Sequence, residues 1–220
     1  HMIIRALVAS AVLLALGSAS AADPRQNQRP VASTKFEPAD VFGMEWASGP
    51  AIAPDGSRVA YVRVSADVMT DRFRRSIWIV DADGRNHRPL VQGRGAYGAP
   101  VWPPDGRSLA YMAQEETGAE LRVLYLDTRQ SAVLTRLPSG ARNLTWSPDG
   151  ASLAFAMFVK ESGRNAAPLP PKPDGAQWAP PATVTDNLIF RMDGAGTVEP
   201  GFTQIFTLPA DGGTPRQRSF

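Results

Sequence analysis

The amino-acid sequence predicts an all-β protein, a partial β-propeller of about three four-stranded antiparallel blades. Three observations lead to this fold class. A Pro-Asp-Gly turn recurs at intervals of 50 and 44 residues, a strand with apolar residues on both faces follows each turn, and a second hairpin follows each strand. Four-stranded meanders that repeat every 40 to 50 residues or so are typical of propeller blades.

The repeated turn has a simple physical basis. Its three copies are Ile52-Ala-Pro-Asp-Gly56, Trp102-Pro-Pro-Asp-Gly106 and Trp146-Ser-Pro-Asp-Gly150. Proline fixes its φ angle, aspartate can accept a hydrogen bond from the backbone ahead of it, and glycine tolerates positive φ. Asp55, Asp105 and Asp149 lie in three different blades, so we favour turn formation over metal binding for these carboxylates.

The strand after each turn has a large apolar side chain on one face and an alanine on the other. These strands are predicted within residues 57–62, 107–112 and 151–156. Because both faces are apolar, we expect each strand to be covered on both sides. Trp102 and Trp146 recur at one position of the repeat, which indicates core residues rather than a platform for a ligand.

The second hairpins set the organisation of the chain. We predict a cloning scar with a signal peptide (1–22), an N-terminal arm (23–40), blade 1 (41–97), blade 2 (98–140) and blade 3 (141–220). Blade 3 contains an insertion at about 160–200, in which six of the fourteen residues from 168 to 181 are proline. Such a segment excludes helix and central strand, and an outer strand is predicted at 184–192.

The N-terminus predicts export to the periplasm or the medium. After His1-Met2, which has the form of a cloning scar, Arg5 precedes an apolar run of eleven residues and then several small residues. Because a bilayer span needs about 20 residues, this pattern predicts a cleaved signal peptide and no membrane association afterwards. The chain has no cysteine, which excludes a disulfide scaffold.

The charge distribution gives no indication of nucleic-acid binding. The net charge is +2, and the basic residues are scattered apart from Arg72, Arg74 and Arg75. We also expect no metal and no cofactor, because no motif for either is found. A globular composition with 43% apolar residues excludes wholesale disorder.

The sequence resembles the N-terminal propeller of bacterial prolyl oligopeptidase-type serine peptidases, in the group of acylaminoacyl peptidases and dipeptidyl aminopeptidases. The likeness covers roughly residues 41–217. Its most specific part is Asn187-Leu-Ile-Phe-Arg-Met-Asp-Gly-Ala-Gly196, which leads to Gln204-Ile-Phe-Thr-Leu-Pro-Ala-Asp-Gly-Gly213. The Pro-Asp-Gly turns are less specific, since TolB-like periplasmic propellers also contain them.

The resemblance implies a propeller that restricts access of short peptides to an α/β-hydrolase domain. These 220 residues contain no Gly-x-Ser-x-Gly motif, and His87 is their only histidine besides His1. A Ser-His-Asp set therefore cannot be assembled from them, so we expect the chain alone to be inactive. We expect it to be a truncated portion with open blade faces, which favours self-association. The alternative is a non-enzymatic, TolB-like propeller that binds a protein partner.

Five charged residues are the candidates for substrate binding. Arg72, Arg74 and Arg75, predicted in a loop before the strand at Ile77, have the chemistry to contact a peptide carboxylate or a partner domain. Glu115 and Glu116 invite comparison with the paired glutamates that hold a substrate's amino group in dipeptidyl peptidases. They lie in a turn and lack the aromatic residues that accompany that pair, so a solvated turn is the competing interpretation. No catalytic residue is assigned, and His87 is predicted in a hairpin turn.

Overall fold

The computed structural model describes residues 35–161, 170–179, 188–194 and 196–219. The predicted signal peptide, most of the N-terminal arm and part of the insertion lie outside the described residues. A short 3-10 helix spans Pro38–Gly43, and the other regular elements are strands. These strands form three four-stranded antiparallel sheets, which confirms the predicted fold class. In the described part of the chain, no helix is both long and apolar enough to cross a membrane.

Each of the three blades is a meander of four strands. Blade 1 consists of β1 (Glu45–Ile52), β2 (Arg58–Asp67), β3 (Arg72–Asp81) and β4 (Arg88–Val91). Blade 2 consists of β5 (Ala96–Val101), β6 (Ser108–Glu115), β7 (Gly118–Tyr125) and β8 (Ser131–Leu137).

Blade 3 has the same order, with an insertion between its second and third strands. It begins with β9 (Ala141–Trp146) and β10 (Ser152–Lys160). A separate two-stranded hairpin, β11 (Arg191–Met192) with β12 (Gly196–Thr197), precedes the last two strands, β13 (Gly201–Pro209) and β14 (Arg216–Gln217). Of the predicted outer strand at 184–192, residues 184–187 lie outside the described residues. In the remainder the prediction is wrong for residues 188–190, because only Arg191–Met192 form a strand.

The Pro-Asp-Gly turns have one geometry in all three blades. The aspartate Oδ1 accepts a hydrogen bond of 3.0 Å from the backbone N–H two residues ahead, at Ser57, Arg107 and Ala151. The three turn glycines, Gly56, Gly106 and Gly150, have φ of 71°, 63° and 71°, a region that other residues rarely adopt. The carboxylates therefore stabilise turns, as the sequence predicted.

Adjacent blades are joined by a contact that repeats with the sequence. The indole N–H of Trp102 donates to the carbonyl of Ala51 at 2.9 Å, and that of Trp146 donates to the carbonyl of Val101 at 3.4 Å. In blade 1 this position is Ile52, which is 68% exposed because no blade precedes it among the described residues. The tryptophans are thus part of the blade-to-blade contact, as predicted for core residues.

Two hydrophobic cores lie between the blades. Between blades 1 and 2, Ala60, Ile77 and Ile79 pack with residues of β5, β6 and β7 that include Leu109 and Tyr111. Between blades 2 and 3, the core contains Ala110, Leu121, Val123, Leu153, Phe155 and Leu208. Each fully buried large apolar side chain contributes about 1.5–3 kcal/mol relative to an exposed one. Packing between blades therefore makes a large contribution to the stability of the unit.

Among the described residues, blade 2 alone is covered by neighbouring blades on both faces. Four consecutive residues of β6, Ser108 to Tyr111, are buried, whereas burial alternates along β2 and β10. The expectation of two covered faces is therefore wrong for blades 1 and 3. The reason is that each of these blades has one neighbouring blade among the described residues, so its other face remains open.

The tryptophan contact generates a stability prediction. Trp102→Phe should lower the free energy of unfolding by about 1–2 kcal/mol, because the partly buried carbonyl of Ala51 loses its donor. Trp146→Phe should lower the free energy of unfolding by less, because the Trp146 hydrogen bond is longer. Urea denaturation followed by circular dichroism measures both losses.

Trp178→Phe is the matched control for this substitution, because Trp178 lies in the insertion and is 47% exposed. Its effect should stay within about 0.5 kcal/mol. Equal losses for Trp102→Phe and Trp178→Phe would show that the indole contact does not hold the blades together.

Candidate functional site

The turns of the blades alternate between two ends of the unit. One end carries the Pro-Asp-Gly turns, and Pro54 and Pro104 lie against the glycines of the next turns, Gly106 and Gly150. The opposite end, here called the linker end, carries the β2–β3 and β6–β7 turns, the linkers between blades and the insertion of blade 3. All five substrate-binding candidates from the sequence lie at the linker end.

The three arginines lie in a strand and not in a loop. β3 begins at Arg72, and the ladder to β2 pairs Arg72 with Asp67, Arg74 with Ser65 and Arg75 with Val64. The predicted loop is wrong because backbone pairing continues past the buried part of the hairpin, where charged side chains can remain in solvent. Strand alternation places Arg72 and Arg74 on one face of blade 1 and Arg75 on the other.

Two of these arginines line an open groove at the linker end, with a volume of about 650 Å³. We call it the arginine groove and define it by six residues: Arg63, Arg74, Ser76 and Trp78 from one face of blade 1, Arg75, and Arg94 from the linker to blade 2. Arg72 does not line the groove. Sequence reasoning missed Arg63 and Arg94, because they are far from the other arginines along the chain.

The positive charge of the groove is only partly compensated. Arg63 forms an ion pair with Glu45 and lies over the Trp78 ring, 4.5 Å from its centroid. Arg74 Nε is 3.7 Å from the Asp67 carboxylate. Neither Arg75 nor Arg94 has a carboxylate within 4.0 Å among the described residues. Two guanidinium groups are therefore available to an anionic ligand.

The two candidate glutamates have different surroundings. Glu116 is exposed in the turn after β6, which agrees with a solvated position. Glu115 is half-buried, and its Oε1 is 3.9 Å from Arg122. Burial and a hydrogen bond with Glu115 raise the pKa of the Tyr97 hydroxyl above its ordinary value. Glu115 therefore belongs to a network inside blade 2 rather than to a pair with Glu116.

The linker that carries Arg94 runs close to this network. A Cβ atom at Gly93 would lie 2.6 Å from the Tyr97 hydroxyl, and one at Gly95 would lie 2.7 Å from the Glu115 carboxylate. At Gly95 the backbone carbonyl of Gln114 would also lie 2.8 Å from the Cβ atom, so a side chain there would displace the backbone, whereas at Gly93 the Tyr97 side chain would have to move. Packing against blade 2 thus defines the path of the linker at the edge of the groove.

Glu120 is a buried charge that the sequence analysis did not identify. Its side chain is 3% exposed and accepts hydrogen bonds from Arg122 Nε at 2.8 Å and Arg136 Nε at 3.0 Å. The hydrogen bond from Arg122 is the main reason that the pKa of Glu120 lies below its ordinary value. The available indication was Glu120-Leu-Arg122, which places opposite charges on one face of a strand.

His87 lies in an aromatic cluster on the open face of blade 1. Its Nε2 is 2.5 Å from the Tyr61 hydroxyl, and its ring centroid is 5.0 Å from that of Trp78. His87 is exposed and lies immediately before β4, in the hairpin turn that the sequence predicted. Within the part of the chain that the structure describes, no three His, Asp or Glu residues are grouped so that they could hold a metal ion.

The network around Glu120 generates a pH-dependent prediction. Glu120→Gln should lower the free energy of unfolding by about 3 kcal/mol at pH 7, because a buried ion pair is broken from one side. The folded-state pKa is below the unfolded value, so this stabilisation is complete above about pH 5. It is lost as the pH falls through the folded-state pKa. Urea titrations from pH 7 to about pH 3 measure the difference between the two proteins.

Glu116→Gln is the control for this prediction, because Glu116 is exposed and close to Glu120 in the sequence. It should change the free energy of unfolding by less than about 0.5 kcal/mol at each pH. A loss for Glu120→Gln that does not shrink in acid would show that the Glu120 charge has no part in stabilising blade 2.

Comparison with known proteins agrees with this architecture. The chain is 26% identical over 179 residues to the "Uncharacterized peptidase YuxL" of Bacillus subtilis, which covers 81% of the chain and 27% of that protein. It is 40% identical over 74 residues to the Tol-Pal system protein TolB of Thioalkalivibrio sulfidiphilus, which covers 34% of the chain and 17% of TolB.

A solved structure shows the same fold. Acylaminoacyl peptidase from Pyrococcus horikoshii superposes with a TM-score of 0.61 at 16% identity, over 81% of this chain and 26% of that protein. The chain thus spans about a quarter of the length of the two peptidases. It is a β-propeller region similar to those of peptidases, as the resemblance in the sequence implied.

A family model settles the membership of the chain. The model described as the TolB beta propeller domain matches residues 52–166, just over half of the chain. The matched range runs from the first Pro-Asp-Gly turn to the start of the insertion, and so contains the repeated blade contacts described above. The chain therefore belongs to the TolB β-propeller domain family.

Proposed function

We propose that the chain is the substrate-gating propeller of a secreted serine peptidase that hydrolyses short or N-acylated peptides. In this proposal the Ser, His and Asp that cleave the peptide bond lie in an α/β-hydrolase domain outside these 220 residues. The propeller selects substrates by limiting what reaches that domain. The chain alone has no hydrolase activity, and its open blade faces favour self-association.

The observation that carries this proposal is the extent of the peptidase alignments. Both the Bacillus peptidase and the Pyrococcus acylaminoacyl peptidase align with 81% of this chain but with only 27% and 26% of their own lengths. Most of each peptidase is therefore available for a domain that performs the chemistry. The sequence of this chain agrees with such a division, because these 220 residues contain no Gly-x-Ser-x-Gly motif. Their only histidine besides His1 is His87, which contacts Tyr61 and Trp78.

The two ends of the blades support a role in gating. The Pro-Asp-Gly end consists of tight turns whose aspartates are bonded to the turn itself. The linker end carries the arginine groove and the insertion, whose two ends are held together by the ion pair between Lys160 and Glu199. We infer that the linker end is where peptides meet the propeller.

The proposal includes a location and a set of partners. The N-terminal residues suit a cleaved signal peptide, so the protein would act in the periplasm or outside the cell without remaining in the membrane. Its partner would be a peptide substrate, presented through the catalytic domain. No partner among nucleic acids is proposed, because the basic residues form no extended stripe.

A second candidate is a non-enzymatic propeller that binds a protein partner. The family match and the 40% identity to TolB over 74 residues favour this candidate. The two candidates differ in what the complete reading frame encodes. Further blades followed by a stop would support the TolB-like protein, and a hydrolase domain would support the peptidase.

The experiment is to sequence the complete reading frame and to purify its product. A variant of that product with alanine at the serine of the Gly-x-Ser-x-Gly motif is the matched control. We expect turnover of acetyl-alanyl or alanyl chromogenic peptides, no cleavage of a folded protein, and loss of turnover in the serine variant. The 220-residue chain should show no turnover.

The proposal fails if the reading frame lacks a hydrolase domain and its product cleaves none of the peptides. Turnover by the repurified 220-residue chain would also contradict it, because catalytic groups would then lie within the propeller. Cleavage of folded proteins at the same rate as short peptides would support the peptidase activity but contradict the gating role of the propeller.

A further inference from the structure

We propose that the arginine groove binds a peptide carboxylate, from an acidic side chain or from a free C-terminus. This proposal extends the proposed function and rests on it in one respect, the assumption that the ligand is a peptide. The site is defined by Arg75 and Arg94, the two of the four arginines lining this groove that have no carboxylate within 4.0 Å among the described residues.

The residue types match the chemistry of a carboxylate. An arginine guanidinium is planar and presents parallel N–H donors that fit the two oxygens of a carboxylate. Arg75 comes from β3 and Arg94 from the linker to blade 2, so the two donors approach the groove from different elements. A carboxylate bound to either guanidinium would replace solvent as its hydrogen-bond acceptor.

The remaining wall is already organised in the absence of a ligand. Glu45 and the Trp78 ring fix Arg63, and the Trp78 indole N–H donates to Ser76 Oγ at 3.0 Å. These internal partners leave Arg63 largely neutralised. The wall therefore gives shape, whereas Arg75 and Arg94 provide the uncompensated charge.

The backbone that carries Arg94 is restrained on both sides. Gly93 lies against the Tyr97 hydroxyl and Gly95 against the Glu115 carboxylate, where a Cβ atom would lie less than 3.0 Å away. Since Tyr97 is buried in blade 2, the linker has a defined support. Preorganisation of this kind lowers the ordering cost of binding.

The size and charge of the groove favour a peptide. Its volume of about 650 Å³ is in the range of small-ligand sites and suits a few peptide residues. A nucleic-acid site would need a longer track of phosphate contacts. The basic residues of this chain are too scattered for such a track.

The test is calorimetric titration of the 220-residue chain with two matched pairs of peptides. The first pair is acetyl-Ala-Ala-Glu-Ala-amide and the same peptide with Gln in place of Glu. The second pair is acetyl-Ala-Ala-Ala with a free C-terminus and with a C-terminal amide. We expect the carboxylate member of at least one pair to bind about tenfold more tightly than its neutral counterpart.

Substitutions in the groove identify the groups that bind. Arg75→Gln and Arg94→Gln should each weaken binding of the carboxylate peptide about tenfold, with little effect on the neutral peptide. Arg107→Gln is the control, because Arg107 is exposed at the Pro-Asp-Gly end. The preference for the carboxylate should also decline as ionic strength rises.

The outcomes separate this proposal from the proposed function. Equal binding within both pairs, no binding of any peptide, or the same loss for Arg107→Gln would overturn the carboxylate site. Peptidase activity of the full product could survive any of these results. Conversely, carboxylate-selective binding in a protein without peptidase activity would support the carboxylate site and contradict the proposed peptidase function.

Discussion

The contact between adjacent blades is the constraint on which the rest of the structure depends. A four-stranded sheet with two apolar faces cannot bury both of them by itself, so each blade needs a neighbour. Here the neighbour is positioned by an indole hydrogen bond to the preceding blade, at Trp102 and Trp146, and by the seating of Pro54 and Pro104 on the next turn glycine. The result is an unequal distribution of burial, in which blade 2 is enclosed and blades 1 and 3 each keep an open face. Stability in such a repeat is approximately a sum over interfaces, and the middle blade contributes to both.

The same sheets that form the cores also form the groove, because their strands extend beyond the covered region. β2 and β3 pair over their full lengths, and their side chains change from Ile77 and Ile79 between the blades to Arg74 and Arg75 at the linker end. Backbone hydrogen bonds hold the charged part in register without requiring apolar neighbours. Inside blade 2 a charge is tolerated only with full compensation, as at Glu120 with its two arginines. Both observations follow from the free-energy cost of burying a charge. Exposed arginines at the linker end avoid this cost, and ion pairs offset it for Glu120 inside blade 2.

Local sequence information predicted the elements that local physics controls. Asp55, Asp105 and Asp149 bond the backbone two residues ahead, and this requires no knowledge of distant residues. Local sequence did not predict features that depend on tertiary contacts. The start of β3 at Arg72 depends on pairing with Asp67, and the groove brings Arg63, Arg75 and Arg94 together from three different segments. The roles of Gly93 and Gly95 likewise depend on Tyr97 and Glu115 lying against them. Periodicity alone predicted two covered faces for every blade, because each strand carries the pattern of a blade with two neighbours. The open faces of blades 1 and 3 were expected instead from the number of blades in the chain.

Hydrogen exchange followed by mass spectrometry tests the central claim that packing between blades controls stability. The inner strands of all three blades have comparable backbone ladders, so hydrogen bonding alone would protect them equally. If packing between blades controls stability, the amides of β6 and β7 in the enclosed blade 2 should exchange most slowly. Those of β2, β3, β10 and β13 should exchange faster. Protection in blade 1 or blade 3 equal to that in blade 2 would contradict the account.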